Sequence, residues 1–171
     1  MLLNKIQISE IINQIKNDKI VVIPTDTIYG ISALFSISNQ TKINNLKGSN
    51  AKKPLIVLFC DYLQIRNFVK LTPELKKLFE SKEPTTVICQ RIDQENSTIA
   101  LRMVKKPDLR AIINETGPIF STSANFSQTN YLDDKNLFAN IILDATAVFY
   151  TEKLNNQPSR IINFSDLTKK R

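Results

Sequence analysis

Three short polar clusters hold the residues best suited to chemistry: PTDTIYG at 24–30, KGSNAKK at 47–53 and STSAN at 121–125. The first follows the apolar run IVVI, the third follows PIF, and the second leads into LIVLF. Ligands of open α/β sheets collect beyond strand ends, so clusters placed this way can converge on one crevice. STSAN offers hydroxyls, an amide and backbone N–H groups but no titrating base, a set suited to recognising phosphate, carboxylate or a nucleobase. The lysines of KGSNAKK add positive charge without the two-pronged donor geometry of arginine. Ser, Thr, Asn and Asp are also ordinary turn formers, because their side chains bond the local backbone. Each cluster taken alone therefore reads more readily as a turn than as a site.

The rest of the composition removes whole classes of mechanism. Histidine is absent, which excludes an imidazole base, a histidine-containing triad and a histidine-ligated metal. Cys60 and Cys89 have no zinc-like or redox-like spacing and are expected to be reduced apolar side chains. No GxxxxGK[ST] is present, so a P-loop is not expected. With 23 Lys and Arg against 16 Asp and Glu, the charge of +7 favours anionic partners, although solvated lysine-rich faces account for it as well. The N-terminus lacks a signal-peptide pattern and the apolar runs are too short to span a bilayer, so a cytoplasmic location without a membrane partner is expected.

Positioning these clusters requires a core, and 171 residues suffice for one domain that buries roughly 70% of its unfolded surface. Ile8, Ile11, Ile12 and Ile15 predict a first helix to about Asp18, with Ser9 as its N-cap. KIVVI predicts a buried strand ending at Pro24. Asn39 is expected to cap a second helix through about Lys47, LIVLF to be a strand, and Asp61 to cap a helix through Val69. Thr72, Pro73 and Glu74 start another helix, with Leu75, Leu78 and Phe79 on one face. TTVICQ and TIALRM read as strands, Pro107 opens a helix carrying Leu109, Ile112 and Ile113, and PIFSTSAN is a strand whose end turns polar. A helix from about Asp133 to Ile141, a strand near Ile142 to Tyr150 and a last strand SRIINF complete the chain. The alternation predicts an α/β domain with a mixed sheet.

In order, six segments resemble one family. PTDTIYG resembles PTDTVYGL, LKGSNAKKPLIVL a Lys-x-Arg segment followed by KPLIV, EPTTVI the pattern GPxTxVL, IALRMVKKP the VRxPxHP segment, STSANFS the motif STSANxSG, and QPSRII the motif PSTIV. The match runs from about Ile20 to Ile162 and resembles the YrdC-like family of threonylcarbamoyl-AMP synthases. The resemblance implies a single-domain twisted mixed α/β sheet with flanking helices and a basic concave cavity spanning residues 1–171. It implies condensation of L-threonine, bicarbonate or CO2 and ATP, with Mg2+ accompanying the ATP, to threonylcarbamoyl-AMP and pyrophosphate. No protein metal ligands are expected. A downstream tRNA threonylcarbamoyl transferase machinery would take the product, and weak contact with tRNA is a further expectation.

Carried over residue by residue, Thr27 would contact threonine and Tyr29 would form the wall beside it. Lys47 and Lys53 would face the triphosphate as the catalytic cations, with Lys47 also near the carbamate. Arg102 would pair with the threonine carboxylate, Ser121 and Ser159 would border the threonine end, and Thr98, Ser123 and Asn125 would line the nucleotide site. Ser49 stands where the family has the arginine of Lys-x-Arg, with Lys52 the nearest substitute cation, while Arg171, in a tail that reads most simply as a solvated terminus, could stand for a separate late phosphate-facing arginine of the family. Gln128, Leu58 and EPTT are further departures. Two other readings stay open: a non-catalytic RNA-binding relative, and a related adenylate-forming enzyme with another substrate.

Overall fold

The computed structural model describes residues 2–131, 147–154 and 156–168. Its centre is one seven-stranded sheet built from β1 (Val21–Pro24), β2 (Tyr29–Leu34), β3 (Ile56–Phe59), β4 (Thr85–Gln90), β5 (Thr98–Met103), β6 (Ile119–Ser123) and β7 (Arg160–Asn163), in the spatial order β1-β2-β6-β3-β5-β4-β7. The β3–β5 and β4–β7 pairs are parallel and the other four are antiparallel, so the sheet is mixed as expected. Val148 extends the sheet by one parallel bridge beside Val22.

Side chains alternate across a pleated strand, and here the two faces have separate cores. Tyr29, Ile31, Val57, Phe59, Leu101 and Phe120 pack on one face with Ile43 of helix α2 (Ile37–Leu46) and with Leu75 and Phe79 of α3 (Pro73–Phe79). Val21, Ile23, Leu58 and Ile119 point the other way, under Ile11 and Ile15 of α1 (Lys5–Lys16) and Leu109, Ile112 and Ile113 of α4 (Pro107–Thr116). On that second face the register runs Ser32 to Ser121 to Ile56, and Leu58 to Arg102 to Thr86. Polar side chains replace apolar ones where α1 and α4 no longer cover the sheet, and this leaves room for a site.

Several helix starts differ from expectation. Asn4, not Ser9, caps α1 through a reciprocal capping box with Gln7. Ser36, not Asn39, caps α2; the Asn39 amide instead ties Asp18 and the Leu34 carbonyl together from a buried position. Asp61 does cap, but it opens a 3-10 turn at Tyr62–Gln64 and not a helix through Val69. Strand β2, not expected from the sequence, lies between β1 and β6. The expected helix at 133–141 and most of the strand at 142–150 fall outside the described residues. Among the described residues no helix is long and apolar enough to cross a membrane.

Candidate active site

The exposed part of that face forms a cavity of about 420 Å3 lined by the ends of β2, β3 and β6, by Arg102 of β5 and by the Pro158–Ser159 approach to β7. Its deepest cation is held by the turn between β1 and β2. Thr25 Oγ1 donates to the Ile28 carbonyl at 2.6 Å and accepts from the Thr27 amide at 3.1 Å, so the turn closes on its own hydroxyl. Asp26, at its tip, meets Arg102 Nη2 at 3.0 Å, while Arg102 Nη1 donates to Thr27 Oγ1 at 3.3 Å. Arg102 is only 5% exposed. A buried guanidinium needs a charge partner, and Asp26 supplies it as a single-atom ion pair.

Hydroxyls border this charge. Ser32 Oγ donates to Ser121 Oγ at 3.1 Å, and Ser159 and Thr86 hydroxyls lie 2.8 Å apart. Gly30 makes room for the first pair: a Cβ there would sit 2.2 Å from Ser121 Oγ. Tyr29 is fully buried and its ring stacks on Tyr150 at 5.0 Å, while its hydroxyl donates to the Glu152 carbonyl at 2.7 Å and accepts from the amides of Thr151 and Glu152. The residue expected as a wall is thus also the peg that holds the 150–152 segment against β2. Tyr131, another lining residue, accepts the Tyr29 amide at 3.0 Å.

Lys53 borders the other end of the cavity, where its exposed ammonium has no carboxylate partner among the described residues. Lys47 stands behind the lining, 6% exposed, and its ammonium donates to the carbonyls of Ser123 and Asn125 and to Asn125 Oδ1. Its own carbonyl accepts the Ser127 amide at 2.8 Å, so one residue clamps both sides of the loop after β6. Burial, with Lys53 nearby, pushes the Lys47 ammonium down to about 8. Ser123 and Asn125 both line the cavity, with the Asn125 amide turned to the Thr129 carbonyl at 2.7 Å.

The family model for Sua5, YciO and YrdC proteins, described as telomere recombination, matches residues 13–170. The chain belongs to the Sua5/YciO/YrdC family. It is 31% identical over 137 residues to the threonylcarbamoyl-AMP synthase of Bacillus subtilis (strain 168), covering 72% of this chain and 40% of that protein. The chain thus spans less than half the length of that relative. In fold it is similar to Sua5 of P. abyssi complexed with L-threonine (TM-score 0.82, 21% identity, 98% of this chain and 53% of that one). It is similar to YciO of E. coli as well (TM-score 0.80, 16% identity, 97% and 87%).

Of the residues singled out in sequence, this Sua5/YciO/YrdC chain brings Thr27, Tyr29, Lys53, Arg102, Ser121, Ser123, Asn125 and Ser159 to one cavity, with Lys47 behind it. Thr98 is exposed at the opposite end of β5 from Arg102, outside the lining. Lys52 is exposed and also outside it; Ser49 is half-buried with its hydroxyl shut off from solvent and lacking a hydrogen-bond partner among the described residues. Arg171 is not among the described residues. Sequence reasoning missed Asp26, the partner of Arg102, although it is the sole carboxylate of PTDTIYG and so the natural counter-charge for a buried arginine. It also missed Gly30, whose reason is visible only once β2 and β6 are paired. No group of three or more His, Cys, Asp or Glu side chains among the described residues can hold a metal ion.

Proposed function

We propose that the chain is an L-threonylcarbamoyladenylate synthase, a nucleotidyltransferase that condenses L-threonine, bicarbonate or CO2 and ATP and releases pyrophosphate. The observation that carries this reading is the buried Arg102 fork, fixed by Asp26 and Thr27 and bordered by the hydroxyls of Ser121 and Ser159 in the same cavity. That arrangement suits an amino-acid carboxylate with a small polar side chain. Lys53 at the cavity rim suits the triphosphate. The similarity to a threonylcarbamoyl-AMP synthase and to a Sua5 complexed with L-threonine supports the same assignment.

The reaction needs no side-chain nucleophile. The threonine amine adds CO2 and loses a proton to give a carbamate; a carbamate oxygen then attacks the α-phosphorus of ATP as the bond to the β-phosphate oxygen breaks and pyrophosphate leaves. This chain's residues contribute by binding and orientation, which account for a large share of rate enhancement in transfers at phosphorus. Arg102 would anchor the carboxylate, Thr27, Ser121 and Ser159 would fix the threonine, and Lys53 would neutralise phosphate charge. Lys47 would hold Ser123 and Asn125 in place beside the nucleotide. Mg2+ bound to the ATP phosphates would lower their charge. A cytoplasmic location, transfer of the product by a tRNA-modifying transferase and weak tRNA contact belong to the same proposal.

The test is pyrophosphate release from ATP, Mg2+ and bicarbonate with each of the twenty amino acids in turn. Release that requires threonine supports the proposal. Release stimulated equally by other amino acids, or none at saturating threonine, contradicts it.

A further inference from the structure

Behind the Asp26–Arg102 pair lies a second, smaller cavity of about 120 Å3, whose wall includes Asp26 itself. Its size is well below the roughly 300 Å3 at which organic ligand pockets begin, so it suits an ion of a few heavy atoms. Lys82, Lys105 and Lys106 all line it. Both carboxylates in the lining are already answered by guanidinium groups: Asp26 by Arg102 at 3.0 Å, and Glu83 by Arg160 at 3.4 Å. None of the three lysines has a carboxylate within 4.0 Å among the described residues, so the lining carries three lysines with no carboxylate of their own.

The walls are braced independently of any ligand. Arg160 Nε donates to Thr85 Oγ1 at 2.8 Å and its Nη2 to Ser81 Oγ at 3.0 Å, which holds the 81–85 segment to β7. Lys105 donates to the Ser81 carbonyl, and Lys106 to the Thr25 carbonyl at 3.4 Å. An ammonium has three donors, so each of these lysines keeps two after its backbone contact. The result is a braced frame in which three lysines line a space too small for a nucleotide.

We propose that this cavity is a binding site for a small oxyanion, of phosphate or bicarbonate size, held by Lys82, Lys105 and Lys106 and separate from the main cavity. Asp26 forms part of its wall, so its occupant does not share the space of a ligand paired with Arg102. The inference stands whether or not the main cavity makes threonylcarbamoyl-AMP, since it rests on this cluster alone.

Calorimetric titration of the full chain with inorganic phosphate and, separately, with bicarbonate at constant ionic strength provides the test. The same titrations are run on Lys53→Ala, which removes the cation at the main cavity's rim, and on Lys82→Gln/Lys105→Gln. Both lysines of the double variant are exposed, so its fold is expected to hold, and its thermal midpoint checks this. The expected result is a binding event that survives Lys53→Ala and weakens about tenfold or more in the double variant, the order expected for loss of charge-assisted contacts. Lys105→Glu alone should weaken it further than Lys105→Gln. Which of the two anions produces the event identifies the occupant. No event with either anion, an event lost in Lys53→Ala, or one unaffected by the lysine substitutions overturns the proposal.

Discussion

Arg102 is the residue on which the substrate assignment depends, because its fork is held by Asp26 and Thr27 and cannot be reproduced by another cation. Arg102→Lys keeps the charge and loses the two-pronged contact, so the threonine KM should rise by about 10- to 100-fold, the equivalent of roughly 1.5–3 kcal/mol. The ATP KM should change far less; steady-state kinetics with each substrate varied separately will show the split. Lys47 makes a different prediction. Its ammonium, ordinarily near 10.5, is pushed down to about 8 by burial and then by Lys53, so its charged form is disfavoured in the folded protein. Stability from this group is therefore lowest below pH 8 and rises with pH between about 8 and 10.5, where the unfolded chain binds more protons. Activity should move the opposite way: losing the charge loosens the hold on Ser123 and Asn125, and turnover should fall as pH rises through about 8. In Lys47→Arg that fall should shift to higher pH, and a pH–rate profile of the two proteins compares them.

At the scale of elements, the site depends on how closely β2 and β6 approach and on how the 150–152 segment is pinned. Gly30→Ala would force Ser121 aside, because the added methyl lies within 2.2 Å of its hydroxyl, and should cost about 1–3 kcal/mol in chemical denaturation. Tyr29→Phe leaves the amides of Thr151 and Glu152 without their acceptor, at about 1–3 kcal/mol, and faster hydrogen exchange at those two amides should accompany the loss. Strands β4 and β5 were legible to the residue, since TTVICQ and TIALRM are short apolar runs bounded by breakers. Strand β2 was not, because YGISAL carries a glycine and a serine that weaken strand propensity and are there for the close contact with β6. The α1 start was readable in principle: Asn4 and Gln7 have capping-box spacing, but Ile8 at helical spacing drew the boundary to Ser9. The site clusters were legible from composition, whereas their convergence came from a register across β2, β6, β3, β5 and β4 that no local pattern encodes. Asp26 was missed for the same reason, its meaning lying in a partner 76 residues away in the chain.

For the whole molecule, the mixed sheet places one face under α1 and α4 and leaves the adjoining part of that face open, with hydroxyls and one guanidinium in place of apolar side chains. The absence of histidine fits a chemistry in which the substrate's own amine and the carbamate formed from it do the attacking. The central claim is that this cavity joins threonine, bicarbonate and ATP, and mass spectrometry of the product tests it most directly. Incubation with 13C-bicarbonate, threonine, ATP and Mg2+ should yield threonylcarbamoyl-AMP carrying a single 13C, formed in step with pyrophosphate and strongly reduced in Arg102→Lys at limiting threonine. Pyrophosphate release without a labelled threonine-containing adenylate would contradict the account.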